Sequence, residues 1–326
     1  MKNFKSIISI CLALFSFGKV YSQQQAIYTN YLLNPLYYNP AISGSEAFHR
    51  ANINYRNQWA GFDGAPKTFS ASIIGSVKDR QKHGFAGMIV SDNVGLTART
   101  GVYINYSYKI KLNKTTSLRL GVSPGFVQYR VRLYDVRVVD GGDELLTGNV
   151  LSANAIDLNS GAYIHNEKFF VGLSANQVLG QSISFTTYND QLAMHYNLMG
   201  GYTHAFKKNF ELQPSTLVRY TKGLPVSADF SLRGIFNKNF WVSATYRLSD
   251  AASIGVGYTA FNRLTIGYSY DYSLSSINPY QNGTHEIGIS FRLTTKKKSL
   301  DEEDEELNNS IMEKNKKQRE TEEKQK

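Results

Sequence analysis

From Arg263 to Tyr272 the chain alternates without a break. Leu264, Ile266, Tyr268, Tyr270 and Tyr272 take every second position, and Arg263, Thr265, Gly267, Ser269 and Asp271 fill the places between. Successive side chains of a strand point to opposite faces, so this run is a strand with one apolar and one polar face. The pattern recurs: Val102, Ile104, Tyr106, Tyr108 and Ile110 oppose Tyr103, Asn105, Ser107 and Lys109. Phe240, Val242, Ala244, Tyr246 and Leu248 oppose Trp241, Ser243, Thr245 and Arg247, and Ile287, Ile289, Phe291 and Leu293 oppose Glu286, Gly288, Ser290 and Arg292. Repeated two-faced strands behind an export signal predict an all-β, antiparallel outer-membrane β-barrel with lipid outside and a polar lumen. The competing β reading is a secreted sandwich, which also uses tyrosine freely.

The export signal is residues 1–22. Lys2 and Lys5 precede an apolar stretch at 7–17, and the small Ser22 before Gln23 suits cleavage. That stretch is too short to span a bilayer as a helix. The sole cysteine, Cys11, lies within it and has no lipoprotein box around it, so the mature chain is expected to lack thiol chemistry. A mean hydropathy of -0.33 resembles a soluble protein, but alternation averages a barrel's hydropathy away. The 22 tyrosines suit the interfacial girdles of a barrel. The net charge of +10 is scattered over strands and turns, and so predicts contact with anionic headgroups and no nucleic-acid partner.

Turn signals such as Asn237-Lys238-Asn239, Ser249-Asp250 and Phe261-Asn262 divide residues 46–294 into about fourteen strands. Their expected centres are Asn54, Ala71, Met88, Asn105, Val122, Gly161, Val171, Leu198, Thr216, Ser231, Ser243, Gly255, Ile266 and Ile289. With both chain ends periplasmic, links after odd-numbered strands lie outside the cell, which places the longer links at 133–154, 178–192 and 277–282 on the outer side. Residues 23–45 do not alternate. Their partly helical pattern, stopped by Pro35 and Pro40, reads as a segment that tucks into the lumen or caps its periplasmic mouth. From residue 295 the composition changes to a charged tail. Lys296-Lys297-Lys298 leads into an acidic run at 301–306 and then mixed lysine and glutamate, which reads as a disordered or helical periplasmic tail.

Strand parity turns Arg119, Arg233, Arg247, Arg263 and Arg292 inward, with Asp229, Asp271 and Glu286. An arginine on the lipid face costs about 2–4 kcal/mol near the midplane. An anion-selective channel and a cross-barrel ion-pair network both use such residues. The mixture of signs favours the network, because paired charges cost less to bury than lone ones. On the same parity argument, arginine is expected to be tolerated better at Ser269 than at Tyr268. The six histidines form no metal-ligand spacing, and no nucleophile motif or phosphate loop is present. The adjacent pair His285-Glu286 reads as turn and strand, so no enzyme and no cofactor are predicted.

Several spaced blocks resemble the PorP/SprF family of outer-membrane proteins from the type IX secretion and gliding systems of Bacteroidota. Asn39-Pro40-Ala41-Ile42-Ser43-Gly44 looks like the family's Asn-Pro-Ala-x-x-Gly, and Arg56-x-Gln58-Trp59-x-Gly61-x-x-Gly64-Ala65-Pro66-x-Thr68 looks like its most specific block. Phe240-Trp241 to Tyr246-Arg247, Gly267-Tyr268-x-Tyr270-Asp271 and Gly283-Thr284-His285-Glu286 also match. The resemblance covers residues 23–293. It implies a multi-pass outer-membrane component that works with type IX secretion proteins on an exported cargo, such as a large gliding adhesin. The alternative from another class is a passive channel for small solutes. Read physically, the blocks are structural: Gly61, Gly64 and Pro66 permit a constrained loop, and Arg56 has inward parity and can meet a lumen acid.

Overall fold

Alternation of the kind described above gives each strand one apolar and one polar face, and the chain closes one sheet on itself with the polar face inward. The computed structural model describes residues 25–77, 82–132, 150–184, 189–207, 209–293 and 312. The export signal, most of the charged tail and residues 133–149 lie outside the described residues.

The strands run in chain order as β1 (Arg50–Asn57), β2 (Lys67–Ser76), β3 (His83–Val94), β4 (Thr97–Lys111), β5 (Ser117–Arg132), β6 (Val150–His165) and β7 (Phe169–Asn176). A small hairpin of β8 (Ser182–Ser184) and β9 (Asn189–Gln191) follows. Then come β10 (His195–Tyr202), β11 (His204–Lys207), β12 (Phe210–Thr221), β13 (Ser227–Phe236), β14 (Phe240–Arg247), β15 (Ala251–Ala260), β16 (Leu264–Ser273) and β17 (Thr284–Arg292). β10 and β11 form one interrupted strand against β12. The first and last strands pair, Ala51 with Phe291 through Asn57 with His285, and close an antiparallel barrel of 14 strands. Each expected strand centre falls within one of these fourteen.

The two faces of the wall have opposite chemistry. Ile104 is 69% exposed and Ile254 68%, whereas Arg119 and Asp229 are 0% exposed. In water this would be an inverted protein; in a bilayer the outward face meets hydrocarbon and the inward face holds the polar groups. Rings gather toward the strand ends on the outside. Tyr202, His204, Phe206, Phe210, Phe236 and Phe240 form a chain of ring contacts along and across strands, with successive centroids 4.6–6.4 Å apart. Two-residue turns at Asn237-Lys238 and Phe261-Asn262 take positive φ at both positions, the geometry that matches the twist of a hairpin.

Two expectations need correction, and a third gains detail. The link expected over 133–154 is shorter, because β6 begins at Val150 and residues 150–154 pair with β5. The link at 178–192 is long, as expected, and is partly ordered. It carries the β8–β9 hairpin, whose Ile183 packs on the inward Ala153 and Ala155 of β6 together with Leu192. Pro35 and Pro40 do not stop a helix. Each begins a single 3-10 turn, Pro35–Tyr37 and Pro40–Ile42, where its missing N–H costs nothing.

Candidate functional site in the barrel lumen

Residues 26–45 supply the core that the barrel wall lacks. Tyr28, Tyr31, Leu36, Tyr37, Tyr38 and Ile42 are buried against inward-facing Met88, Val90, Tyr103, Val127, Met199 and Leu217 from five strands. The segment begins at Gln25, beside Asn176 at the rim opposite Arg50 and Arg292, and leaves at Arg50. It therefore threads the bore lengthwise and is fastened at each end by different chemistry.

At the far end Thr29 sits inside a ring of ions. Its backbone N–H donates to Glu286 Oε2 at 2.7 Å, and the N–H of Asn30 donates to Oε1 of the same carboxylate at 2.9 Å. The Thr29 hydroxyl donates to Asp271 (2.7 Å) and accepts from Arg56 and Arg247, each at 3.0 Å. Arg56 bridges Asp271 at 2.8 Å and Glu286 at 3.1 Å. Arg247 reaches Asp229 at 3.0 Å, which also holds Arg219 at 2.9 Å. Three guanidinium groups thus face three carboxylates on β1, β12, β13, β14, β16 and β17, and the strand pairing itself sets Arg56 opposite Glu286. Burying ions costs several kcal/mol each, so the cluster depends on every member being paired.

At the near end the grip is on backbone. Asn39 caps the second turn by accepting from the N–H of Ala41 (2.9 Å), and its amide donates to the carbonyls of Ala162 (3.0 Å) and Leu173 (3.3 Å). Ser43 donates to the Pro40 carbonyl at 2.7 Å. Arg119 donates to the carbonyls of Ser43 and Gly44, and Ser107 donates to that of Ser43. Gly44 has φ +70, and a Cβ there would lie 2.5 Å from the Cα of Gly84, so both the turn and the close approach require glycine. Between the two ends, Asn34 donates to Ser70 (3.0 Å), and Ser174 donates to the Tyr38 carbonyl (2.6 Å).

The block from Arg56 to Thr68 continues from the ion ring onto the far rim. Gln58 N–H donates to the Pro66 carbonyl, and Trp59, at φ 51, donates from its backbone to Thr284. Ala60 and the 282–283 backbone exchange hydrogen bonds of 2.7 and 2.8 Å, and Gly95 N–H donates to the Gly64 carbonyl. Gly61 and Gly64 have φ +88 and +68, and Ala65 is buried beneath them. Thr68 donates to Asp92 at 2.6 Å. This loop ties the β3–β4 turn and the β16–β17 link into one rim.

Other expected site residues divide. Asp229, Arg233 and Arg247 are buried in the lumen, and Arg233 stacks over Trp241 at 4.3 Å from the ring centroid. Arg292 is half-buried at the near rim over Phe48, at 4.5 Å. Arg263 does not face the lumen. It lies in the β15–β16 turn and is exposed, because strand parity stops at the last paired residue, Leu264. Tyr270 and His285 lean together on the outer surface, and His285 Nδ1 lies 2.7 Å from the Tyr268 hydroxyl. His285 and Glu286 therefore point to opposite faces of β17 and form no acid–base pair. Among the described residues no cluster of His, Cys, Asp or Glu has the makings of a metal site. Thr29, Asn30, Asn34 and Arg219 were not singled out from sequence; inward parity with Leu217 and Ser215 was available for Arg219, and no local signal marked the others.

A family model described as type IX secretion system membrane protein PorP/SprF matches residues 20–291. No curated protein matches the sequence. Among solved structures, the CymD monoaromatic hydrocarbon channel is 11% identical with a TM-score of 0.49, over 81% of this chain and 93% of that one. A Pseudomonas aeruginosa FadL homologue is 12% identical with a TM-score of 0.44, over 78% and 93%. The Acinetobacter baumannii outer membrane protein Omp33 is 9% identical with a TM-score of 0.42, over 77% and 100%. At these levels the likeness extends no further than the barrel fold, which the closed strand register establishes on its own.

Proposed function

We propose, from the premise that this chain belongs to the PorP/SprF family of type IX secretion system membrane proteins, that it is a non-enzymatic outer-membrane component supporting export or surface anchoring of a partner cargo such as a large adhesin. The observation that carries this reading is the occupied bore. Residues 26–45 fill it with tyrosines and leucine, and the ion ring closes on Thr29 rather than on an open path. A solute channel needs a continuous polar passage, and charges already neutralised by one another select no ion. In this reading the rim carrying Arg50 and Leu293 is periplasmic, and the knotted far rim, where Gln25 lies, faces the exterior.

Affinity purification from native outer membranes tests the proposal. Type IX components and a large exported protein are expected to co-purify, and deletion of the gene is expected to stop surface display of that cargo. Steady ion conductance by the purified wild-type barrel in planar bilayers, with cargo display intact in the deletion strain, would instead establish the channel reading.

A further inference from the structure

The cations of the lumen are not all matched. Arg56, Arg219 and Arg247 share carboxylates in the ion ring, Arg99 lies 3.9 Å from Asp157, and Arg119 is occupied by carbonyls. Arg233 differs. It is 9% exposed, its Nε is buried without a hydrogen-bond partner, and among the described residues no carboxylate lies in ion-pair range of it. Its guanidinium lies over the ring of Trp241, 4.3 Å from the centroid. A ring face attracts a cation but leaves the in-plane N–H donors of the guanidinium unused. A buried cation in that state is costly unless something supplies the opposite charge.

The fold leaves room beside it. Residues 40–44 lean on one side of the near mouth, where the inward Ile74, Ala86, Ser107 and Arg119 are buried beneath them. Across the bore the inward Gln213, Ser243, Gly255, Thr259 and Thr265 are only half-buried, so a recess opens to the near mouth over β12 to β16. Arg233 pairs across strands with Gln213 and Ser243 in its wall, three positions from the end of β13, or roughly 10 Å inside the rim. Ser243 carries a hydroxyl that makes no hydrogen bond among the described residues. Deeper in, Ser231 is bonded to Thr245 and Ser215 to Tyr31, each at 2.7 Å, and these close the recess toward the far end. Glu211, the inward carboxylate on β12 nearer the rim, is half-buried and out of ion-pair range of Arg233.

We propose that Arg233, with the Ser243 hydroxyl beside it, is a receptor for one small anion, a carboxylate or a halide, that enters from the near mouth. The guanidinium supplies charge-assisted donors in its plane, and Trp241 holds that plane in place from below. The anion is held and not conducted, because the filled bore ends the recess. This inference rests on the lumen geometry and not on the secretion reading, and it is tested on purified protein alone.

The stacked ring provides the readout. The sequence holds 2 tryptophans, so Trp59→Phe leaves Trp241 as the sole emitter. Iodide, an anion that quenches indole fluorescence, is titrated into this protein in neutral detergent at constant ionic strength, with gluconate as the balancing anion. Trp241 is 5% exposed, so random collision quenches it poorly. Saturable quenching by iodide is expected, several-fold stronger than by the cation caesium, and reversed by formate. Arg233→Gln should abolish the saturable part while the barrel still folds, judged by heat-modifiable migration, since removing an unpaired cation strands no partner. Reversal by N-acetylglutamate amide well below the effective formate concentration would support the site equally and assign its anion to a protein side chain. Weak, linear quenching in the parent, quenching unchanged in folded Arg233→Gln protein, or no competition by either carboxylate would each overturn the proposal and leave water in the recess.

Discussion

The two ends of the lumenal segment are held in contrasting ways. At Thr29 the wall supplies charges from six strands, and the segment contributes a hydroxyl and two N–H groups. At Asn39 to Gly44 the wall supplies Arg119, Ser107 and two strand carbonyls, and the segment contributes a capped turn, the Asn39 amide and its own carbonyls. The first end is an electrostatic assembly in which no member can be lost singly. The second is a matter of shape, intolerant of added atoms. This difference shows how one segment can be both neutralised and positioned inside a polar bore.

The largest effect that would break this contrast is expected at the ion ring. Arg56→Met leaves Asp271 and Glu286 short of a cation, a loss of about 3–5 kcal/mol. Paired with Glu286→Gln, the loss should shrink, since the leftover charge is removed with its partner. Folded fraction on unboiled gels across a urea series reads both; equal damage from the single and double variants would mean that the ring is not a charge-balanced unit.

Next comes the lipid face against the lumen. Tyr268→Arg places a cation in the bilayer at about 2–4 kcal/mol near the midplane, less toward the rim. Parity alone made Ser269→Arg the milder change, but that presumes an empty bore. Ser269 is 1% exposed and accepts from Asn30 at 3.0 Å, so arginine there must displace the segment. Both variants should therefore insert poorly. Normal insertion of Ser269→Arg would show that the segment yields easily.

A smaller loss sharpens the near end. Asn39→Ala removes a cap and two donations to wall carbonyls, roughly 1–3 kcal/mol. Increased protease cleavage within residues 25–45 is the expected readout. Smallest of all is Arg263→Ala, in an exposed turn, which should change stability by no more than about 0.5 kcal/mol. A large loss there would show that Arg263 serves the wall after all.

The wall was legible in the sequence because period-two alternation is local: each residue from Leu264 to Tyr272 declares its face by its neighbours. The lumen was legible only where parity carried it, as for Arg247, Asp229 and Glu286. It failed at Arg263, one residue beyond the pairing. The segment was recognisable as something other than a strand, but its partners were hidden, since Thr29 meets Glu286 across 257 positions of chain and nothing near Thr29 marks it as the centre of an ion ring. The Gly44 turn was visible as a motif, yet its reason, the approach of Gly84, belongs to the closed barrel.

Closure of the ring by β1 and β17 has a consequence for how the molecule is made. The strand synthesised last completes the wall around the stretch that precedes the strand synthesised first. Across that seam Arg56 and Glu286 are neighbours, and both bond to Thr29. The seam and the contents of the bore therefore share one set of charges. Without residues 26–45 inside, the seam would still pair through its backbone, but Glu286 would lose the two N–H groups of Thr29 and Asn30 that cap it beside Arg56.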